Sequence, residues 1–146
     1  MITIGIDPSG ADKGHGVATY LDGNLIGLDM MRNVDIIKTL INERNRDQII
    51  FSIENVLQNN CIFTKNVTGR KRIDQNISLK VGRCQQSQIE LMWWLDDLSI
   101  PYVLHKPSSQ WKENENLFKR ITGWEKSSNK DTRSASYFGY LQVISK

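Results

Sequence analysis

Two carboxylates stand where apolar runs stop. Ile2-Thr3-Ile4-Gly5-Ile6 alternates apolar with small or polar residues and ends at Asp7-Pro8-Ser9-Gly10, where proline and glycine forbid further ladder pairing. Gln48-Ile49-Ile50-Phe51-Ser52-Ile53 stops in the same way at Glu54-Asn55. If both runs are strands of one sheet, Asp7 and Glu54 converge on one rim. Carboxylates from separate chain segments hold hard divalent cations, and metal-dependent phosphodiester chemistry is built in this manner.

Those acids need a sheet to carry them and helices to buttress it. Gly16-Val17-Ala18-Thr19-Tyr20-Leu21 and Asn24-Leu25-Ile26-Gly27-Leu28 flank Asp22-Gly23, a tight-hairpin dipeptide, so three antiparallel strands open the fold. Asn33 is the expected cap of a helix with Val34, Ile37 and Ile41 at helical spacing, a crossover to the parallel strand that ends at Glu54. Residues 57–76 are polar and basic without sustained period and read as a mobile loop that contacts nucleic acid. Ile77, Val81, Cys84, Leu91, Leu95 and Leu98 stripe a helix of about six turns, with Trp93 and Trp94 assigned to packing or an interface. Pro101 to Leu104 predicts a short strand, and Ser108 or Ser109 is expected to cap a helix carrying Trp111-Lys112 through Arg120. Asn129 to Asp131 opens a last helix with Ser134, Tyr137, Leu141 and Ile144 along one side. The order β-β-β-α-β-α-β-α-α predicts an α/β fold, a mixed five-stranded sheet of three antiparallel and then parallel strands, with helices on both faces.

At 146 residues the chain matches one domain, 1–146, and 39% hydrophobic with 24% charged residues is a globular composition. No apolar run approaches the roughly 20 residues of a membrane span. The N-terminal segment lacks the pattern of a secretory signal, so a cytoplasmic location is expected. Cys61 and Cys84 have no metal-ligand spacing and read as free thiols. The net charge of +3 is modest, but its distribution is informative: Lys65, Arg70, Lys71, Arg72, Lys80 and Arg83 face only Asp74 in that stretch. Beside a carboxylate site, such a run favours a polyanion. His15, in Gly14-His15-Gly16, reads as a solvated loop histidine, and His105 at a strand end has no nameable partner.

Taken together, Gly5-Ile6-Asp7-Pro8-Ser9, Ile53-Glu54-Asn55-Val56, Ser78-Leu79-Lys80-Val81-Gly82-Arg83, the stretch from Pro107 to Trp111-Lys112, and the late Asp131 helix resemble the RuvC-type Holliday junction resolvases, in order and over nearly the whole chain. The resemblance implies a ribonuclease H-like fold and a nuclease that binds four-way DNA junctions as a homodimer. It implies symmetric cuts using Mg2+ or Mn2+, two ions per site. Asp7 would bridge the ions, Glu54 and Asp131 would complete the cage, and Lys112 would lie near the scissile phosphate. Leu57 matches an apolar wedge at the junction centre, with Phe63 further along that loop. Lys80 and Arg83 are assigned to phosphates, while Lys65, Arg70, Lys71 and Arg72 steer DNA from the loop. A compact resolvase of this kind suits a phage.

One position departs from the pattern. The family's last helix presents an acid or histidine and, three positions later, an acid; here Asp131-Thr132-Arg133-Ser134 supplies only the first. A serine carries no charge to offset a divalent ion, which leaves a shifted ligand register, a weak second ion, or lost activity. The last alternative makes the chain a non-catalytic branched-DNA binder with an incomplete metal site. A third reading takes Gly5 to Gly10 as the phosphate turn of an actin-like or sugar-kinase ATPase, against which a single domain's length argues.

Overall fold

The computed structural model describes residues 1–10, 13–58 and 71–145, and for 71–78 the backbone alone. Five strands, β1 (Ile2–Asp7), β2 (His15–Leu21), β3 (Asn24–Met31), β4 (Ile49–Glu54) and β5 (Tyr102–His105), form one sheet in the order β3-β2-β1-β4-β5. The first three pair antiparallel, while β1–β4 and β4–β5 pair parallel. The expected α/β architecture is the one observed. The hairpin between β2 and β3 turns at Asp22 and Gly23 with φ of +49° and +87°, the left-handed pair that a two-residue connection between right-twisted strands demands.

Alternation along the strands sorts the two faces. Ile4, Ile6, Phe51 and Ile53 point to one side, where Ile36 of α1 (Asn33–Thr39) and Leu91 and Leu95 of α2 (Lys71–Asp97) close the larger core. Thr3, Gly5 and Asp7 of β1, with Ser52 and Glu54 of β4, point to the other side, against α4 (Lys130–Ile144). There the helix lies on the strands almost main chain to main chain. A Cβ on Gly5 would collide with the Ala135 carbonyl, and one on Gly16 with the carbonyl of Asp131. Tyr20 Oη donates to the Ser136 carbonyl at 2.7 Å and Ser52 Oγ to that of Phe138 at 2.6 Å, so two strand side chains pin α4 along its length.

Several local expectations differ from the structure. Asn33 does not cap α1: Arg32 occupies that position, its amide donating to Asp35 Oδ2 at 3.1 Å, and Asn33 instead turns its amide group inward. Within α1 the fully buried residue is Ile36, while Ile37 is half-buried against the same core and Val34 is exposed. Helix α2 starts at Lys71, so the last six positions of the expected loop 57–76 are helical, whereas 59–70, with Phe63, Lys65 and Arg70, lie outside the described residues. Trp111 and Lys112 precede the third helix, α3 (Glu115–Thr122), which is capped by Asn114 Oδ1 accepting from Leu117 N at 3.0 Å rather than by Ser108 or Ser109. Trp111 cannot be helical, since its φ is +69°.

The last helix opens where expected, and it is capped by Asn129 Oδ1 accepting from Thr132 N at 2.8 Å and Thr132 Oγ1 accepting from Asn129 N at 3.0 Å. Its buried face is not the expected stripe: Ser134, Ala135, Phe138 and Gly139 are buried and Ile144 is exposed. Small residues let the helix approach the sheet, so burial here follows size rather than hydrophobic period. Among the described residues no helix is long and apolar enough to cross a membrane.

Candidate active site

The chain leaves β1 toward β2 on one side and reaches β4 on the other, so the crevice beyond the ends of β1 and β4 lies where the strand order reverses. Ile6 pairs with Ile53, and the next residues are Asp7 and Glu54. Parallel pairing and period-two alternation thus deliver both carboxylates to one rim, on the face covered by α4. Both are buried, with only 6% of Asp7 and 7% of Glu54 exposed.

Lys112 Nζ approaches Asp7 Oδ2 to 3.7 Å, an ion pair too long for a hydrogen bond. Asp7 Oδ2, Glu54 Oε2 and Ser134 Oγ are buried and have no hydrogen-bond partner. Burial is the largest effect on the Asp7 carboxyl and pushes it above the usual carboxylate range; the Lys112 ammonium pulls it down, Asp131 adds a push, and the neighbouring Ser134 hydroxyl and Glu54 carboxyl pull it down further. Burial, and then the charge on Asp7, push Glu54 up to about 8, partly offset by Lys112. Two carboxylates in one dry crevice cannot both ionise cheaply, so the pair favours holding one proton between them.

Asp131, at the start of α4, is within electrostatic reach of both acids. Its carboxylate, however, pairs with Lys13 at 3.0 Å. Among the described residues no group of three histidine, cysteine, aspartate or glutamate side chains is gathered for a metal ion. The expected cage of Asp7, Glu54 and Asp131 is therefore present as a close pair, the Ser134 hydroxyl, and a third acid held by an ammonium. The donor chemistry still fits Mg2+ or Mn2+: all these donors are hard oxygens, and three of them are buried without a hydrogen-bond partner.

Leu57 stands in a short 3-10 turn, Val56–Gln58, directly after β4 and is 38% exposed, so it is not a core residue. The turn is fastened to α2 by Val56 N donating to Gln88 Oε1 at 2.9 Å and by Gln85 Nε2 donating to Val56 O at 3.2 Å. Lys80 and Arg83 are exposed on α2, and Arg83 borders the Ser9-Gly10 turn that follows Asp7. Lys71 and Arg72 begin that helix. Trp93 and Trp94, 63% and 48% exposed, do not pack in the core.

Both histidines are structural in ways the residue string does not disclose. His15 is buried: Ser9 N donates to Nδ1 at 2.8 Å, so the proton sits on Nε2, 2.7 Å from Asn33 Oδ1, and Asn33 Nδ2 donates to Ser87 O at 3.0 Å. Burial lowers its pKa, and the neutral ring ties the Asp7 turn to α1 and α2. Gly10 N donates to Cys84 Sγ at 3.3 Å, a second tie between that turn and α2. His105 neighbours Glu54 across β4 and β5. Because the Ser52 proton goes to Phe138 O, His105 must donate through Nε2 to Ser52 Oγ at 2.8 Å, leaving Nδ1 as an acceptor. Asn33 lies 18 residues from His15, and Ser52 lies 53 residues from His105.

No family model matches the chain, and no curated protein matches it in sequence. Among solved structures it is similar to T. thermophilus RuvC in complex with a Holliday junction substrate, at 12% identity and a TM-score of 0.59, over 96% of this chain and 90% of that one. The likeness extends over the five-stranded mixed sheet and its helices and shows that the chain shares that structure's ribonuclease H-like fold.

Proposed function

We propose that the chain is a divalent-metal-dependent endonuclease that resolves four-way junctions or other branched DNA by paired phosphodiester hydrolysis, as a cytoplasmic homodimer built of a single nuclease domain. One observation carries the reading: Asp7 and Glu54 meet on the rim of a RuvC-type sheet, each with a buried oxygen lacking a hydrogen-bond partner, with the Lys112 ammonium 3.7 Å from Asp7. The similar solved structure is a RuvC bound to a Holliday junction, which favours branched DNA as substrate.

Asp7 and Glu54 would hold the cation, with Ser134 and Asp131 beside them. A divalent ion supplies activation of water and stabilisation of the leaving oxygen. Burial, and then the charge on Asp7, raise the Glu54 pKa, and a divalent cation held here would offset both by favouring the ionised carboxylate. Lys112 neutralises charge at the phosphate that faces Asp7. Lys80 and Arg83 hold the backbone, joined by Lys65, Arg70, Lys71 and Arg72, and Leu57 with Phe63 wedges the junction centre. Trp93 and Trp94 on α2 offer apolar surface for the two-fold contact that paired cuts need.

A second reading, a branched-DNA binder that does not cut, is favoured by Ser134 and by the hold of Lys13 on Asp131. Cleavage of a labelled synthetic junction and its linear duplex control, with Mg2+, Mn2+ or chelator, separates the two. Paired nicks that need metal and disappear in Asp7→Asn, while junction affinity persists, are the expected result. Tight junction binding without cleavage under any metal would establish the binder instead.

A further inference from the structure

Lys112 reaches Asp7 from a turn that has no regular structure of its own. The preceding residue, Trp111, has a φ of +69°, a left-handed conformation that a bulky side chain adopts only under constraint. Something outside the turn must hold it. The indole of Trp111 is buried against Tyr137 and Tyr140 of α4, with ring centroids 5.5 and 5.3 Å away. That anchors the side chain but leaves the two carbonyls beside Lys112 facing inward.

We infer that Arg133 is the positioning residue for Lys112, a guanidinium clamp that sets the reach of the lysine into the Asp7 crevice. This rests on the nuclease reading above only for the catalytic consequence. Arg133 is buried on α4, and its Nε lies 3.2 Å from both Trp111 O and Lys112 O. Its Nη2 donates to Lys112 O at 2.8 Å and its Nη1 to Ser128 Oγ at 3.0 Å. Glu115 Oε2, at 4.0 Å, is the nearest acid paired with it, so the charge is spent mainly on carbonyl oxygens. A planar fork with several donors can grip two successive carbonyls at once; a lysine ammonium has no such fixed geometry.

The helix assigns the clamp its purpose. Arg133 immediately precedes Ser134, whose hydroxyl faces Asp7, so one turn of α4 fixes both the floor of the crevice and the segment that supplies its cation. Without the guanidinium the left-handed turn can relax, and Lys112 Nζ is then free to swing toward solvent.

The test is competitive amine labelling of the whole chain read by mass spectrometry, alongside junction cleavage. In Arg133→Met, labelling of Lys112 is expected to rise severalfold toward that of exposed Lys119, while Lys119 itself is unchanged. The turnover rate is expected to fall about 10- to 100-fold with KM for the junction unchanged. The fall should match that of Lys112→Met, and the double variant should be no worse than either, because both remove one contribution. Arg133→Lys, which keeps the charge and loses the fork, should lie between. If Arg133→Met does not fold, Arg133→Lys and Ser128→Ala carry the same comparison. Unchanged Lys112 labelling in a folded variant, or losses that multiply in the double variant, would overturn the clamp. If the native chain cuts no junction at all, the nuclease reading falls and the labelling alone decides the clamp.

Discussion

Lys13 Nζ lies 3.0 Å from Asp131 Oδ2, and this pairing occupies the acid on α4 nearest to Asp7 and Glu54. The lysine is largely exposed, so the pair contributes under about 1 kcal/mol to stability. It nevertheless competes with any cation for the same oxygens. Lys13→Ala is expected to move Tm by less than about 4 °C and to tighten Mn2+ binding severalfold by titration calorimetry. Weaker binding in the variant would mean that the ammonium shapes the site rather than blocking it.

Glu54 gives the metal-free protein a characteristic pH dependence. Its folded pKa of about 8 stands above the ordinary 4.5, so between these values the folded chain binds more protons than the unfolded one. Stability therefore falls as pH rises through that window and levels off above it. Glu54→Gln cannot ionise. The Tm difference, variant minus native, should grow from pH 4.5 to pH 8 in chelator and then flatten. A difference that does not vary with pH would remove the shared-proton account.

Ser134 Oγ is a buried oxygen with no hydrogen-bond partner, facing Asp7. Ser134→Asp places a third carboxylate there, so the metal-free variant should lose stability through repulsion, and divalent binding should strengthen about tenfold or more. The two changes are coupled: added Mn2+ should raise the variant's Tm more than the native chain's. Equal increments would exclude this position from the cation's reach.

The exposed bases on α2 are predicted to meet phosphates. Each such contact steepens the dependence of log affinity on log salt by about 0.9, so Lys80→Ala with Arg83→Ala should flatten the slope by about 1.8. Binding titrations at several salt concentrations measure it. A slope that stays the same would take this side of α2 out of the DNA interface.

The strand rim was readable because alternation is strict: counting by twos from Thr3 to Asp7 and from Ser52 to Glu54 puts both acids on one face. Asp22-Gly23 and Asn129 were readable for the same reason, since turn and cap chemistry is local. What escaped depends on partners far along the chain. The grip of Arg133 on Trp111 spans 22 residues, and His105 meets Ser52 across 53, so neither leaves a pattern in the residue string. Lys112 was expected on a helix, yet it stands in the turn before α3, where Trp111 is left-handed and Asn114 caps the helix.

The contact between Gly5 and the Ala135 carbonyl acts as a spacer of zero thickness between β1 and α4. Asp7 lies two residues further along that strand, and Ser134 is the residue just before Ala135, so this main-chain contact gauges the gap across the crevice. Any side chain at position 5 would lift the helix and widen the interval between the Asp7 carboxylate and the Ser134 hydroxyl. Cation coordination tolerates only tenths of an ångström, whereas a folded core survives larger shifts. Drift at this contact would therefore silence the site in molecules that still fold.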